Sequence, residues 1–107
     1  MIRVRFIVGN NRLTGFEISG HAMFAESGSD IVCAAVSSAA YMAANTVTDI
    51  IKADAAANVE GSSMCLKLNN PDEFSEKVLK GLELHLTELS KQYPKNIKII
   101  YGGVKNA

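Results

Sequence analysis

Apolar and charged side chains alternate at the start of the chain, with Ile2, Val4, Phe6 and Val8 on one side and Arg3, Arg5 and Ile7 on the other. A period of two is the pattern of a half-buried strand. Gly9-Asn10-Asn11 supplies residues that tolerate positive φ and so turns the chain back into a second strand over Arg12–Ser19. The first twenty residues therefore predict a β-hairpin. Phe16 and Ile18 share one face of its second strand, Leu13 is out of step with them, and Gly15 is the place for a bulge.

From Ile31 to about Lys52 the period changes to that of a helix. Steps of about 100° gather Val32, Val36, Ala39, Ala43, Val47 and Ile50 on one stripe, with Cys33, Ala40, Ala44 and Ile51 along its flank. So many alanines let the helix approach a sheet or a second helix closely. Its outer face, with Tyr41, Met42 and Asn45, is only half polar and leaves room for a partner surface.

Asn58 to Ser62 reads as a strand ending in a turn, and Met64, Leu66 and Leu68 then alternate with Cys65 and Lys67, which predicts a second hairpin. Asn69-Asn70-Pro71 introduces another helix, Asn being a good cap and Pro tolerated at a first helical position. That helix runs to about Tyr93, ahead of Pro94, with Phe74, Val78, Leu82, Leu86 and Leu89 as its buried stripe and Glu73–Lys77 and Glu76–Lys80 as pairs one turn apart. Ile97–Tyr101 is a last strand, closed by Gly102-Gly103. The order is β-β-α-β-β-α-β: an α+β fold in which a mixed sheet is covered on an apolar face by two main helices. At 107 residues, residues 1–107 are expected to form a single domain.

Composition narrows the function classes. With 48% hydrophobic and 21% charged residues the chain can bury a sizeable core. Eleven basic and eleven acidic residues cancel, so no overall field draws it to a phosphate backbone or an anionic membrane, and direct nucleic-acid binding is not expected. Arg3, Arg5 and Arg12 are the exception, as a local patch. MIRVRFIVGNN lacks the apolar core of a signal peptide, and Ser37, Ser38, Asn45 and Thr46 interrupt the Ala-rich helix before it reaches the roughly 20 apolar residues of a membrane span. A cytoplasmic protein with two reduced cysteines is expected. Two Cys and two His contain no closely spaced ligand pair, so neither a metal nor a cofactor is expected.

The chemistry gathers around SGHAMFAESGSDIVCAAVSSAA, Ser19–Ala40. His21 follows directly from the second strand, and Ala22–Ser29 reads as a loop containing Gly28. Ser29 or Asp30 is expected to cap the helix, placing Cys33 in its first turn, beside the uncompensated N–H groups and the positive end of the dipole. Such a position favours thiolate, and a nearby His favours it further. A Cys in an Ala-rich helix is more often simply a small core residue, and a His after a strand more often a locally satisfied polar one. Ser37, one turn beyond Cys33, either shares the same edge of the helix or bonds back to the preceding turn. Cys65, on the Lys67 side of its strand, reads as structural, and His85, inside the apolar stripe of the second helix, as a partly buried histidine.

Gly20-His21-Ala22, then Ala25, Gly28, Asp30 and the run Ile31-Val32-Cys33-Ala34-Ala35-Val36-Ser37, resembles the signature of the ribosomal-processing cysteine protease family (Prp), bacterial enzymes formerly grouped as YsxB-like proteins. The likeness extends to overall length and element order. It implies a homodimeric thiol protease that removes a short N-terminal extension from a large-subunit ribosomal protein during ribosome maturation, cutting next to aromatic residues. By position, the resemblance makes His21 the general base and Cys33 the nucleophile, and has Gly20, Gly28, Asp30 and Ser37 shape the substrate-binding site. Two other readings are a non-enzymatic ribosome-associated binding module, in which Cys33 is packing and the N-terminal arginines contact RNA, and a thiol redox sensor.

Overall fold

The computed structural model describes residues 1–20 and 27–103, with the backbone alone for residues 27–30. The first hairpin pairs β1 (Ile2–Gly9) with β2 (Arg12–Ser19). Asn10 and Asn11 both hold positive φ, 54° and 64°, which is the two-residue turn whose twist suits the strands it joins. The register shifts between Ile7 and Val8, so that Thr14 is the extra residue and its hydroxyl donates to the Ile7 carbonyl at 3.3 Å. This bulge returns Leu13 to the face of Phe16 and Ile18, and all three are buried. Gly15 beside it is obligatory, because a Cβ there would run into the carbonyl oxygen of Leu66 on a neighbouring strand.

Five strands form one mixed sheet in the order β3-β4-β2-β1-β5. The others are β3 (Ala55–Glu60), β4 (Ser63–Leu68) and β5 (Ile97–Gly103). β1 runs parallel to β5 and antiparallel to β2, and β4 is antiparallel to both β2 and β3. One face collects Val4, Phe6, Phe16, Ile18, Leu66 and Ile97, and both helices lie on it. The opposite face carries Arg5 and Lys67 around Glu17, at 2.7 and 3.8 Å.

The first helix, α1 (Ser27–Asn45), begins earlier than its capping residues imply and ends in a π turn over Thr46–Ile50. Ser29 and Asp30 therefore lie inside the first turn, where an acidic residue is also at home against the helix dipole. Cys33 is the seventh helical residue, one turn beyond the N–H groups that lack intrahelical acceptors. The buried stripe is Val32, Val36, Ala40, Ala43, Ala44 and Val47, with Ala39 only half-buried at its edge. Ile50 is 76% exposed instead of continuing it. The π turn explains this: Ile51 N–H bonds to the Thr46 carbonyl, five residues back, and the wider turn puts Ile50 out of phase. By length and composition Ile31–Ile50 could cross a membrane, but here its apolar stripe is the underside of the core.

The second helix, α2 (Glu73–Gln92), is capped by Asp72, whose carboxylate accepts from Ser75 N–H at 2.8 Å. The cap is thus Asp72 and not an Asn before Pro71. Glu76 turns to Arg12 and to the Leu13 N–H, at 3.2 and 3.3 Å, and not to Lys80, tying the first hairpin to α2. Its buried residues are Ser75, Leu79, Leu82 and Leu86. Phe74, expected among them, is 70% exposed. Twelve residues separate it from Leu86, about 120° more than whole turns, so the two cannot share one narrow stripe. Strand β3 starts three residues before its expected beginning, because register with β4 recruits Ala55–Ala57 despite their weak strand preference.

Candidate active site

One end of the sheet and the adjacent side of α1 enclose an open groove of about 170 Å³. Gly20 follows β2 at its rim with φ +85°, and a Cβ there would lie 2.5 Å from the Met1 carbonyl oxygen. Only glycine fits such a close approach of two backbones at positive φ. From α1 come Cys33, Ser37 and Tyr41, spaced four residues apart and so on one edge of the helix. The opposite wall is the β3–β4 hairpin, with Val59 and the Gly61-Ser62-Ser63 turn. Gly61 has φ +59° at the first central position of a two-residue turn, as the twist of a hairpin favours. Ile2, Ile18, Val36 and Met64, all buried, make an apolar floor.

Cys33 is half-buried, packed against the core's edge, and is in no disulfide. A thiol so placed is held on a rigid helix yet opens onto a groove. That arrangement suits nucleophilic attack on a bound carbonyl. The structure thus brings together Gly20, Cys33 and Ser37, three of the positions singled out in the sequence. His21 and residues 22–26, expected to be a loop, lie outside the described residues. Gly28, expected in the loop, belongs to the first turn of α1, as does Asp30.

The competing residues go elsewhere. His85 is exposed, not partly buried, and lines a separate groove of about 650 Å³ between α1 and α2, with Ala35, Ala39, Met42 and Gly81. It occupies the next position on α2 from Leu84, off the buried stripe. Cys65 sits half-buried on the opposite face of the sheet, across from Glu17. Burial pushes its thiol above the ordinary value, Lys67 opposes this, and Glu17 adds to it. It is a poorer nucleophile at neutral pH for that reason. Among the described residues, no three His, Cys, Asp or Glu side chains gather as metal ligands.

Tyr41, Val59 and the Gly61–Ser63 turn were not legible as site residues. The i, i+4, i+8 spacing of Cys33, Ser37 and Tyr41 carries a signal for the first. The hairpin carries none, since nothing local says that β4 lies beside β2.

The model of the family described as cysteine protease Prp matches residues 1–98. Among solved structures, SMU.848 from Streptococcus mutans is 26% identical over 97% of this chain and 96% of its own, with a TM-score of 0.85. The S. aureus essential ribosomal processing protease Prp, in complex with a covalently linked product peptide, is 24% identical over 95% of this chain and all of its own, at a TM-score of 0.85. The same S. aureus protease with a substrate peptide gives 23% and 0.86 over the same share of this chain. These likenesses show a shared fold. No curated protein matches the chain in sequence.

Proposed function

The chain belongs to the cysteine protease Prp family, and we propose that it removes a short N-terminal extension from a bacterial large-subunit ribosomal protein precursor, with His21 and Cys33 as its catalytic dyad. Family membership makes it a cysteine protease, and the non-enzymatic module loses its ground. The observation that carries the dyad is that Gly20 and Cys33 line one groove, while the only histidine other than His21 lines another. His21 is covalently next to Gly20, which packs against the Met1 carbonyl too closely to admit a side chain.

In this reading His21 takes the Cys33 proton and the sulfur attacks the scissile carbonyl carbon, forming a C–S bond and a tetrahedral oxyanion. The intermediate collapses as the C–N bond breaks and His21 protonates the departing amine. Water, deprotonated by His21, then attacks the thioester, releases the carboxylate product and restores the thiol. Donors aimed at the oxyanion supply about 3 kcal/mol in such sites. The Cys33 N–H, one turn past the helix's unbonded donors, is not among the obvious ones. Asp30 lies inside the first turn of α1, and we read it with Gly28 and Ser37 as shaping the site. The working unit is a homodimer in the cytoplasm.

The test is cleavage of a peptide spanning the extension junction of that ribosomal protein, followed by mass spectrometry. A single cut by the wild-type chain, absent in Cys33→Ala and in His21→Ala, is expected. A cut that survives Cys33→Ala refutes the assignment.

A further inference from the structure

Two large apolar side chains stand in the groove without being buried by it. Tyr41 on the helix wall is 44% exposed and Val59 on the hairpin wall 52%, although the floor beneath them, Ile18 and Met64, is 8% and 9% exposed. Other exposed apolar residues, such as Ile50, Phe74 and Leu84, do not line this groove. Val59 faces the helices because it pairs with Met64, which in turn lies beside Ile18 in β2. It is left uncovered because β3 is the edge strand. Apolar surface inside a cleft, continuous with a nucleophile, is surface that a ligand covers.

Its distance from the nucleophile follows from helix geometry. Tyr41 is eight residues beyond Cys33, or roughly 12 Å along the axis at 1.5 Å per residue. An extended peptide advances about 3.3 Å per residue, so it reaches Tyr41 three to four residues from the bond held at Cys33. Ser37, a small side chain, lies between them on the helix wall, and the hairpin wall includes Gly61, where an added Cβ would meet nothing within 4 Å. The intervening substrate residues meet little that selects them.

We propose that Tyr41 and Val59 form a remote apolar subsite that selects a large apolar side chain three to four residues from the scissile bond. The proposal rests on Cys33 being the nucleophile of the proposed protease. Covering both side chains with a leucine-sized group changes kcat/KM by roughly ten- to hundredfold against serine at the same substrate position.

The experiment uses peptides spanning the extension junction, with serine placed singly at each of the five positions on either side of the cut. Wild type should discriminate most steeply at one position three or four residues away. Tyr41→Ser/Val59→Ser should lose that discrimination while keeping the iodoacetamide labelling rate of Cys33, and Tyr41→Phe should retain it. The same peptides are titrated onto Cys33→Ala by fluorescence anisotropy, so the comparison stands without turnover. Equal discrimination by the double variant in both assays overturns the subsite. Absence of cleavage by wild type together with position-selective binding that the double variant loses supports the subsite and sinks the proposed cleavage at this junction instead.

Discussion

Gly20 and Gly61 both hold positive φ, +85° and +59°, yet replacing each by asparagine should have very different consequences. Asparagine is among the side chains that adopt left-handed backbone, so the conformation alone costs little at +59° and more at +85°, beyond the usual left-handed range of about +50 to +70°. At Gly61 a Cβ meets nothing within 4 Å, and Gly61→Asn should change stability by less than about 0.5 kcal/mol. At Gly20 the Cβ would lie 2.5 Å from the Met1 carbonyl oxygen, whereas ordinary contact begins near 3.4 Å. Two backbone segments must then separate by almost 1 Å at the end of the β1–β2 ladder, at a cost of about 2–3 kcal/mol. With a urea slope of about 1.5 kcal/mol/M for a chain of this size, the midpoint falls by roughly 1.3–2 M for Gly20→Asn and by no more than about 0.3 M for Gly61→Asn. Equilibrium unfolding at one fixed protein concentration measures both. Because Gly20 leads directly into His21, its variant should also lose more cleavage activity than stability alone accounts for. Equal midpoints for the two variants would refute the argument from the Met1 carbonyl.

Asp72→Ala should cost about 1 kcal/mol, the usual worth of an N-cap, read by the same urea titration. The Ser75 N–H holds the Asp72 carboxyl below its ordinary value of 3.8, so the stabilisation is complete above that pH and disappears as pH falls through the lowered value; the difference between wild type and Asp72→Ala should be flat at neutral pH and vanish in acid. Leu86→Ala, at a fully buried position on α2, should cost 2–5 kcal/mol by leaving a cavity under the helix layer. His85→Ala should leave peptide cleavage within about twofold of wild type, because His85 lines the groove between α1 and α2 and not the one holding Cys33.

The local elements were legible because local chemistry specifies them. Two asparagines in tandem after a strand leave few alternatives to the turn that Asn10 and Asn11 make, and Gly15 announced the irregularity that puts Leu13 back in register. The helical period misleads where geometry departs from an ideal helix or where two adjacent stripes are both apolar: Ile50 leaves the stripe at the π turn, and Phe74 lies beside a buried stripe that runs through Ser75 and Leu79. An acidic residue such as Asp30 suits a helix's first turn as well as its cap, so the local sequence leaves the start of α1 open. The strand order lay beyond local reading, since the pairing of β1 with β5 joins residues at opposite ends of the chain. The site divides the same way. Gly20, Cys33 and Ser37 are readable from one contiguous motif, while the wall supplied by Val59 and the Gly61–Ser63 turn exists only once β4 is laid against β2.

The central claim, that the groove at Cys33 is where peptide bonds are cut, is tested most directly by partial alkylation with iodoacetamide, site-resolved by mass spectrometry and read beside residual cleavage of the extension-junction peptide. Activity falling in proportion to modification at Cys33, with Cys65 labelled more slowly and without effect, is the predicted result. Full modification of Cys33 with cleavage intact, or loss of cleavage that tracks Cys65, would contradict it.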